Sequence, residues 1–368
     1  MAENMIKCRL LRAFPFLCLI CSTLVSKNCY FEINTDKNLS ILNKKQYNCK
    51  HIFIKFGLGK FILKRPLLFE FKHPSSLVVM GAGIGNTKVL IDNNISAIHI
   101  YSDQRNNEVE IRDMSLYAIR SNIKNAIFFS QPRGGNQHHR NLVLRDLEIA
   151  GYKNSEHYFF KNAISLIGIW RPLINNVFIT GYFGPKANPK RIRMQSCFSF
   201  RDVYSPTLTD SRCWSSIYGV SIYSRSNPGP EGVMIQRSKF VNVFVGINID
   251  LVSQEPEGFI IDNHINAIRA GIKITNKKFI LIKNNLIYRN KNSSKNFNYI
   301  VFNNVKNSMI VNNIFHYPSK KSSEKIKFFK LIHSHHNMYL YNIFTARNCS
   351  SNTRYVHTNS SISAYSCP

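Results

Sequence analysis

The chain has 368 residues, of which 44% are apolar and 12% aromatic, and it carries 49 Lys and Arg against 20 Asp and Glu. This length and apolar content exclude a short disulfide knot, a polyampholyte and a disordered tail. The formal charge of +29 favours an anionic partner: an acidic polysaccharide, a phosphorylated glycan, nucleic acid or lipid headgroups. The alternative is a coding bias towards Lys, Asn and Ile.

The N-terminus has the pattern of an export signal. Lys7, Arg9 and Arg12 precede an apolar stretch from Ala13 to Val25, which is too short to cross a bilayer. We therefore predict a cleaved signal peptide at residues 1–26 and a secreted or cell-surface protein. No later stretch of the sequence is long and apolar enough to predict a membrane span.

Six cysteines remain after that segment, in local pairs 20, 16 and 18 residues apart. An oxidising compartment permits three local disulfides, although six cysteines allow many other connectivities and the sequence leaves them open. The local pairs are Cys29 with Cys49, Cys197 with Cys213, and Cys349 with Cys367.

A six-residue pattern recurs along the chain: an aliphatic or aromatic residue, two mostly polar residues, a variable residue, a spacer and a second apolar residue. Successive copies begin 22 to 34 residues apart, which is typical of one turn of a β-solenoid. The copies begin at Ile111, Leu144, Ile174, Ile235, Ile260, Ile282, Ile310 and Tyr339, with a poorer copy at Leu208.

The fourth position of the pattern changes along the chain from apolar residues through Ser238 to Asn263, Asn285, Asn313 and Asn342. Four asparagines in one register predict an internal ladder, because stacked strands lie about 4.8 Å apart and each amide can then bond to the next. Asparagine also tolerates the left-handed backbone of a sharp bend, so we expect these residues to make that bend.

A second motif pairs a small residue with an aliphatic one and continues with period-two alternation, which predicts short strands. Because the returns between strands are too short for crossover helices, the chain must wind as a coil. We therefore predict an all-β, single-domain solenoid. The expected divisions are the signal peptide at 1–26, an N-terminal cap and first coil at 27–75, a parallel β-helix at 76–345, and a C-terminal cap or tail at 346–368.

The segment from Phe56 to Leu67, and the following Gly81-Ala-Gly83 with Thr87 and Leu90, resemble the first two coils of a known group. This group is the right-handed parallel β-helix proteins of the pectin-lyase-like superfamily, including tailspike-like chains. The resemblance covers roughly residues 50 to 345. It implies that sugars bind in a groove beside the first strand and its flanking loops, in hydrolases, lyases, epimerases or plain binders.

Such chemistry restricts the candidate residues. Glycoside hydrolysis needs two carboxylates, and lyase chemistry needs a base and a cation beside the uronate. Beyond Asp262 only Glu324 is acidic, so a carboxylate pair must come from earlier coils. Asp202 and Asp250 each follow an apolar strand and are the predicted catalytic pair, with salt-bridged surface carboxylates as the alternative interpretation.

Aromatic and arginine residues concentrate between positions 170 and 223, where rings can stack on sugars and guanidinium groups can bind anions. The predicted substrate-binding residues are Trp170, Arg171, Tyr182, Tyr204, Arg212, Trp214, Tyr218 and Tyr223. Neither a cofactor nor a metal is predicted, since the groups His138-His139 and His333 to His336 lie in polar segments without acidic ligands nearby.

Three hypotheses follow from the sequence. The first is an enzyme, a hydrolase or a lyase, that acts on an acidic polysaccharide. The second is a non-catalytic glycan-binding or adhesive protein with the same basic, aromatic surface. The third is a tailspike-like structural module, in which a homotrimer buries the aromatic face. Nucleic acid is disfavoured as a partner for an exported solenoid.

Overall fold

The computed structural model describes residues 28–36, 39, 42, 49–132, 140–154, 157–182, 193–225, 230–290, 297–317, 326–345 and 362–367. The predicted signal peptide at 1–26 lies outside these residues. The described chain is almost entirely β-strand, apart from a short 3-10 helix at Tyr152–Asn154 and isolated turns. Among the described residues, no helix has both the length and the apolar character needed to cross a membrane.

The strands are short and follow one another closely along the chain. In chain order they are β1 (Asn28–Ile33), β2 (His51–Phe56), β3 (Gly59–Leu63), β4 (Leu67–Phe71), β5 (Ser76–Met80), β6 (Thr87–Ile91), β7 (Ser96–Ser102), β8 (Glu108–Ala118), β9 (Ile123–Ser130), β10 (Leu142–Gly151), β11 (Phe160–Ile167), β12 (Leu173–Thr180), β13 (Met194–Arg201), β14 (Thr207–Thr209), β15 (Arg212–Trp214), β16 (Ser216–Tyr223), β17 (Val233–Gln236), β18 (Lys239–Glu255), β19 (Gly258–Ile261), β20 (His264–Lys278), β21 (Ile280–Lys283), β22 (Leu286–Arg289), β23 (Asn298–Lys306), β24 (Met309–Val311), β25 (Ile314–His316), β26 (Ile326–Ile332), β27 (Met338–Leu340), β28 (Ile343–Phe344) and β29 (Ile362–Cys367).

These strands form one continuous sheet that winds around the core as three faces and is parallel up to β28. Face 1 contains β1, β2, β5, β14, β17, β19, β21, β24, β27 and the first halves of β8, β10 and β12. Face 2 contains β3, β6, β15, β22, β25, β28, the second halves of β8, β10 and β12, and the first halves of β18 and β20. Face 3 contains β4, β7, β9, β11, β13, β16, β23, β26 and the second halves of β18 and β20. The chain is thus a right-handed parallel β-helix, as predicted.

The sequence repeats mark successive rungs of face 1. Ile111 pairs with Leu144, and Leu144 pairs with Ile174. The same register continues to Tyr339 and includes the poorer copy at Leu208. The repeat prediction is therefore confirmed, and the spacing of the motif is the length of one coil.

The predicted asparagine ladder is also present. Nδ2 of Asn263 donates to Oδ1 of Asn285 at 3.0 Å, and the bonds from Asn285 to Asn313 and from Asn313 to Asn342 measure 2.9 and 3.0 Å. Below the ladder, the N–H of Ser238 donates to Oδ1 of Asn263. All four asparagines are buried, so the ladder satisfies amide groups that have no access to water.

The prediction that these asparagines adopt the left-handed backbone was wrong. Positive φ falls on the preceding residue, for example 58° at Asp262, 56° at Asn284 and 54° at Asn312. The residue in the third position turns the chain, which aims the fourth side chain inward at the next rung. The bend and the ladder therefore need two neighbouring residues with different roles.

The small residue of the second motif lies at the corner where face 3 begins. A Cβ on Gly246 would lie 2.4 Å from Cγ2 of Ile265 and 2.5 Å from the carbonyl oxygen of Gly271. Ile265 belongs to face 2 of the next coil. Small residues are needed here because a large inward side chain of the following coil fills the same corner.

Two of the three predicted disulfides are formed, Cys29–Cys49 and Cys197–Cys213. Cys197 occupies the small-residue position of face 3, and Cys213 occupies the inward position of face 2 one coil later. This bond therefore joins successive coils inside the core. The third pair lies outside the described residues because it includes Cys349.

The C-terminal edge of the helix is paired in the opposite direction. β29 runs antiparallel to β26, whereas the other described pairs are parallel. An antiparallel strand covers the exposed hydrogen-bonding edge of face 3 and blunts further strand addition.

Candidate functional site

Face 3 presents a track of small polar side chains to solvent. Ser165 pairs with Ser199, Ser199 with Ser221, and Ser221 with Asn248. Each follows an inward aliphatic or aromatic residue, so strand alternation turns its side chain outward. At about 4.8 Å per rung, these four residues form a floor about 14 Å long, which we call the face-3 groove.

A cavity of about 350 Å³ opens at the C-terminal end of this floor. Tyr218 and Tyr223 of β16 form one side, and Asp250 and Val252 of β18 form the other. Three of the predicted site residues, Tyr218, Tyr223 and Asp250, therefore lie around one cavity. The guanidinium of Arg225 lies 5.9 Å from the centre of the Tyr223 ring, which holds a cation at the rim.

The predicted carboxylates lie at the same edge of face 3. Arg201 pairs with Tyr223, and Tyr223 pairs with Asp250, so Asp202 is two rungs below Asp250. Oδ1 of Asp202 accepts hydrogen bonds from Ser224 Oγ at 2.8 Å and from the Arg225 N–H at 3.2 Å. The N–H of Ser224 donates to the carbonyl of Asp250 at 3.2 Å. Ser224 therefore forms hydrogen bonds with both aspartates, to the side chain of Asp202 and to the backbone of Asp250.

An aromatic cluster lies at the other end of the groove. The ring of His99 is 4.7 Å from Tyr101 and 4.5 Å from Phe128, and Phe128 pairs with Ser165 at the start of the floor. Burial, together with the nearby charge of Lys124, lowers the pKa of His99. The imidazole therefore favours its neutral form and packs as an aromatic ring.

The strands of face 3 that carry the aromatic cluster and the serine floor are basic, whereas β4 and β18 of the same face contain Glu70 and Asp250. Strands β7, β9, β11, β13 and β16 contain no acidic residue, whereas they carry Lys124, Lys161 and Arg201. Lys273 and Lys330 extend the outward track beyond Asn248 on later rungs. Basic side chains therefore lie on the strands of the floor and on later rungs, and the two aspartates lie at the cavity.

The remaining predicted residues lie on other surfaces. Trp170 stacks on Tyr204 with ring centres 4.8 Å apart, and the pair lies in the turns between face 3 and face 1. The N–H of Arg171 donates to the Tyr204 carbonyl at 2.8 Å, so its backbone is part of that turn. Tyr182 is half-buried beyond the end of β12 on face 2.

Arg212 and Trp214 belong to β15 and point outward on face 2. The guanidinium of Arg212 lies 4.9 Å from the centre of the Phe178 ring, and the Trp214 side chain is 40% exposed. The eight predicted binding residues are therefore distributed over three surfaces, and the structure brings only Tyr218 and Tyr223 into the face-3 groove.

Sequence reasoning missed the floor and the aromatic cluster. His99, Phe128, Ser165, Ser199 and Ser221 occupy one aligned column of face 3. Most of them directly follow the small-plus-aliphatic motif, as in Ala97-Ile98-His99 and Ala126-Ile127-Phe128. The residue directly after each small-plus-aliphatic pair was therefore the sequence signal that could have identified this column.

Among the residues that the structure describes, no group of three or more His, Cys, Asp or Glu is arranged to hold a metal ion. The rings of His335 and His336 lie 4.8 Å apart, edge to face. The pair His138-His139 lies outside the described residues.

A scan against protein-family models found no match, and neither did a search of curated proteins. Solved structures with a similar fold include the A-module of a mannuronan C-5 epimerase from Azotobacter vinelandii, at 10% identity and a TM-score of 0.49, covering 79% of this chain and 84% of that one. The catalytic domain of a GH87 alpha-1,3-glucanase has 12% identity and a TM-score of 0.47, with coverage of 86% and 64%. A surface adhesin of Streptococcus pneumoniae has 13% identity and a TM-score of 0.40, with coverage of 82% and 72%. These likenesses concern the fold alone.

Proposed function

We propose that the protein binds an acidic polysaccharide along the face-3 groove. The observation that carries this proposal is the cavity beside the serine floor, with Tyr218 and Tyr223 at its wall and Arg225 at its rim. Flat aromatic faces suit pyranose rings, and hydroxyl and amide side chains suit sugar hydroxyls. The groove runs along the helix axis, so a linear chain can contact several rungs at once.

The acidic nature of the polysaccharide is argued from charge. Arg225 lines the cavity, Arg201 pairs with Tyr223 at its edge, and Lys273 continues the outward track of the floor; the formal charge of the whole chain is +29. An acidic glycan can form ion pairs with these side chains. Binding through them should weaken as salt is added, because mobile ions screen exposed charges.

Asp202 and Asp250 are the proposed catalytic pair if the bound polymer is also cleaved. Two rung spacings separate their backbones by roughly 9 to 10 Å. Inverting glycoside hydrolases place their carboxyl groups about 6.5–9.5 Å apart, against about 5–5.5 Å in retaining enzymes. A backbone separation of this size leaves room for a water molecule between the two side chains, so inverting hydrolysis is the proposed mechanism.

Binding is tested by titrating polyuronates and neutral glycans against the wild type and Tyr223→Ala. Loss of one stacking ring should weaken binding by roughly threefold to tenfold. Tyr30→Ala is the matched control, because Tyr30 is exposed on face 1. Equal affinity for neutral and acidic glycans, or unchanged affinity of Tyr223→Ala, would contradict the proposal.

Catalysis is tested with Asp202→Asn and Asp250→Asn. A hydrolase releases new reducing ends of inverted configuration, visible by proton NMR, and each variant should lose that activity. An unsaturated product would assign a lyase instead. Binding without turnover on any glycan supports the non-catalytic, adhesive alternative.

Export is part of the same proposal. The two disulfides are compatible with folding in an oxidising compartment. The predicted signal peptide would direct the protein to the secreted or cell-surface location where such polysaccharides occur.

A structural module assembled as a homotrimer is the second candidate, and one observation favours it. An apolar track runs along the outer side of face 1 in the last coils: Met234, Phe259, Leu281, Met309 and Met338. Association of three copies would remove this track from water. Light scattering that shows a monomer would exclude the trimer.

A further inference from the structure

A second cavity, separate from the face-3 groove, lies on the outer side of face 2. Its volume is about 450 Å³, and none of its lining residues belongs to the face-3 cavity. We call it the face-2 cavity. Its wall includes Lys60, Lys88, Tyr117, Glu148, Tyr152 and Trp214.

The floor of this cavity is formed by small side chains between two aromatic ends. Tyr117 pairs with Ala150, Ala150 with Thr180, and Thr180 with Trp214. Three rung spacings place the two aromatic residues about 14 Å apart along the face. The structure therefore leaves a slot in which a flat ring or a short saccharide can lie against an aromatic side chain.

Three ammonium groups converge on the slot. Lys60 and Lys88 lie on adjacent rungs of one outward track, directly below Ser115 and Glu148. Lys153 approaches from the overhanging turn, with its Nζ 5.7 Å from the centre of the Tyr152 ring. Within the described part of the chain, none of these lysines forms a salt bridge.

The single carboxylate of the cavity is held by hydroxyl groups. Glu148 Oε2 accepts hydrogen bonds from Tyr117 Oη at 2.6 Å and from Ser115 Oγ at 2.9 Å, and Ser115 accepts from the Gly85 N–H at 2.9 Å. Burial, and then the bond to Glu148, raises the pKa of Tyr117 to about 12. Tyr117 therefore stays a neutral donor to Glu148 Oε2 beside the slot.

We propose that the face-2 cavity binds an acidic oligosaccharide, with one sugar ring against Tyr152, its anionic group on Lys60 and Lys88, and the following sugars along Ala150 and Thr180 towards Trp214. Aromatic walls alone would suit a neutral sugar, and ammonium groups alone would suit any small anion. Their combination in one slot, with the second carboxylate oxygen of Glu148 beside it as an acceptor for a sugar hydroxyl, matches a saccharide that carries a carboxylate or a sulfate ester. This site does not depend on the face-3 groove.

Tryptophan fluorescence provides the test, because the chain has only two tryptophans. In a Trp170→Phe variant, Trp214 is the sole tryptophan and reports directly on the slot. A uronic acid tetrasaccharide, a sulfated tetrasaccharide and a neutral tetrasaccharide are titrated separately, because a ligand of this length can reach from the lysines to Trp214. We expect a saturable change in Trp214 fluorescence with at least one of the two acidic saccharides. The one that binds more tightly, uronic acid or sulfated, identifies the anionic group that the site prefers.

In the same background, Lys88→Ala should weaken binding by roughly threefold to tenfold. Lys239→Ala is the matched control, since Lys239 is an exposed lysine of face 2 outside the cavity, and it should leave the affinity unchanged. Tyr223→Ala should also leave it unchanged. Circular dichroism melts of all variants confirm that each is folded.

Three results would overturn the proposal. The first is the absence of a saturable response to either acidic sugar in a folded protein. The second is an equal response to the neutral tetrasaccharide or to inorganic sulfate alone, which would mean that the cavity binds neutral sugars or small anions without selecting an acidic saccharide. The third is loss of the response in Tyr223→Ala, which would mean that the two surfaces are one site. If polyuronates do not bind to the face-3 groove, the test of the face-2 cavity still stands, because it measures binding through Trp214 alone.

Discussion

Replacing Asn285 by alanine interrupts the middle of the asparagine ladder. Oδ1 of Asn285 accepts from the N–H of Asn263 at 2.9 Å and from its Nδ2 at 3.0 Å. Its own Nδ2 donates to Asn313 and to the carbonyls of Ile260 and Lys283, each at 2.9 Å. Alanine removes all of these bonds inside a core from which water is excluded.

The cost follows from the groups left behind. The N–H of Asn263 loses its acceptor, and the carbonyl of Ile260 loses a donor. A buried polar group without a partner costs about 1–3 kcal/mol. Because some neighbouring groups keep other partners, as Asn263 Nδ2 keeps the Ile235 carbonyl, we expect a loss of about 2–5 kcal/mol in the free energy of unfolding.

Serine at the same position should recover part of this loss. The chain already uses Ser238 in the ladder register, where its Oγ accepts from the Ser211 N–H at 3.2 Å and donates to the Gln236 carbonyl at 2.9 Å. In Asn285→Ser the hydroxyl can accept from Asn263 in the same way. The expected order of stability is wild type, then Asn285→Ser, then Asn285→Ala.

Equilibrium urea unfolding, followed by circular dichroism, measures these differences as shifts of the midpoint at constant slope. Asn94→Ala is the control, because Asn94 is exposed and its replacement should change stability by less than about 0.5 kcal/mol. If Asn285→Ala loses no more than the control, or if serine is no better than alanine, the ladder does not stabilise the coil in the way argued.

Two further predictions concern ionisable groups. Lys277 is fully buried and donates to the carbonyls of Pro230 and Pro256 at 3.2 and 2.7 Å, and burial lowers its pKa from 10.5 to about 8. Between pH 8 and 10.5, Lys277 is protonated in the unfolded chain and deprotonated in the folded chain. As the pH rises through this range, the free energy of unfolding of the wild type should increase by about 3 kcal/mol relative to that of Lys277→Met. A difference between the two proteins that stays constant with pH would refute this prediction. The hydrogen bonds from Arg237 lower the pKa of Asp210 from 3.8 to about 2, so its stabilising contribution is present above pH 3.8 and is lost as the pH falls towards 2. In Arg237→Met the NMR titration midpoint of Asp210 should rise towards 3.8, and an unchanged midpoint would show that the ion pair is not the cause.

The fold could be predicted because its information is local and repeated. Ile111, Leu144 and Ile174 recur at the length of one coil, and each repeats the same inward position. The bend was assigned one residue too late because Asn, Asp and other polar residues occupy both positions. Arg237 and Tyr341 also adopt positive φ there, so composition alone does not separate the turning residue from the ladder residue.

The site was predicted less well because distance along a solenoid differs from distance in space. A window of about fifty residues passes over all three faces, so the aromatic-rich stretch was divided among them. Trp214 and Tyr218 are close in sequence but lie on faces 2 and 3, whereas Tyr223 and Asp250 are a full coil apart and pair directly.

Asp202 and Asp250 were selected in a different way, by their position after equivalent strands, and they lie at one edge of the same face. The same criterion applied to the residue after each small-plus-aliphatic pair would have identified His99, Phe128 and Ser165 as one outward column. In a β-helix, the residues that form one functional surface recur in the sequence at intervals of one coil. Candidate residues therefore have to be compared between coils, position by position, before any cluster along the chain is taken as a site.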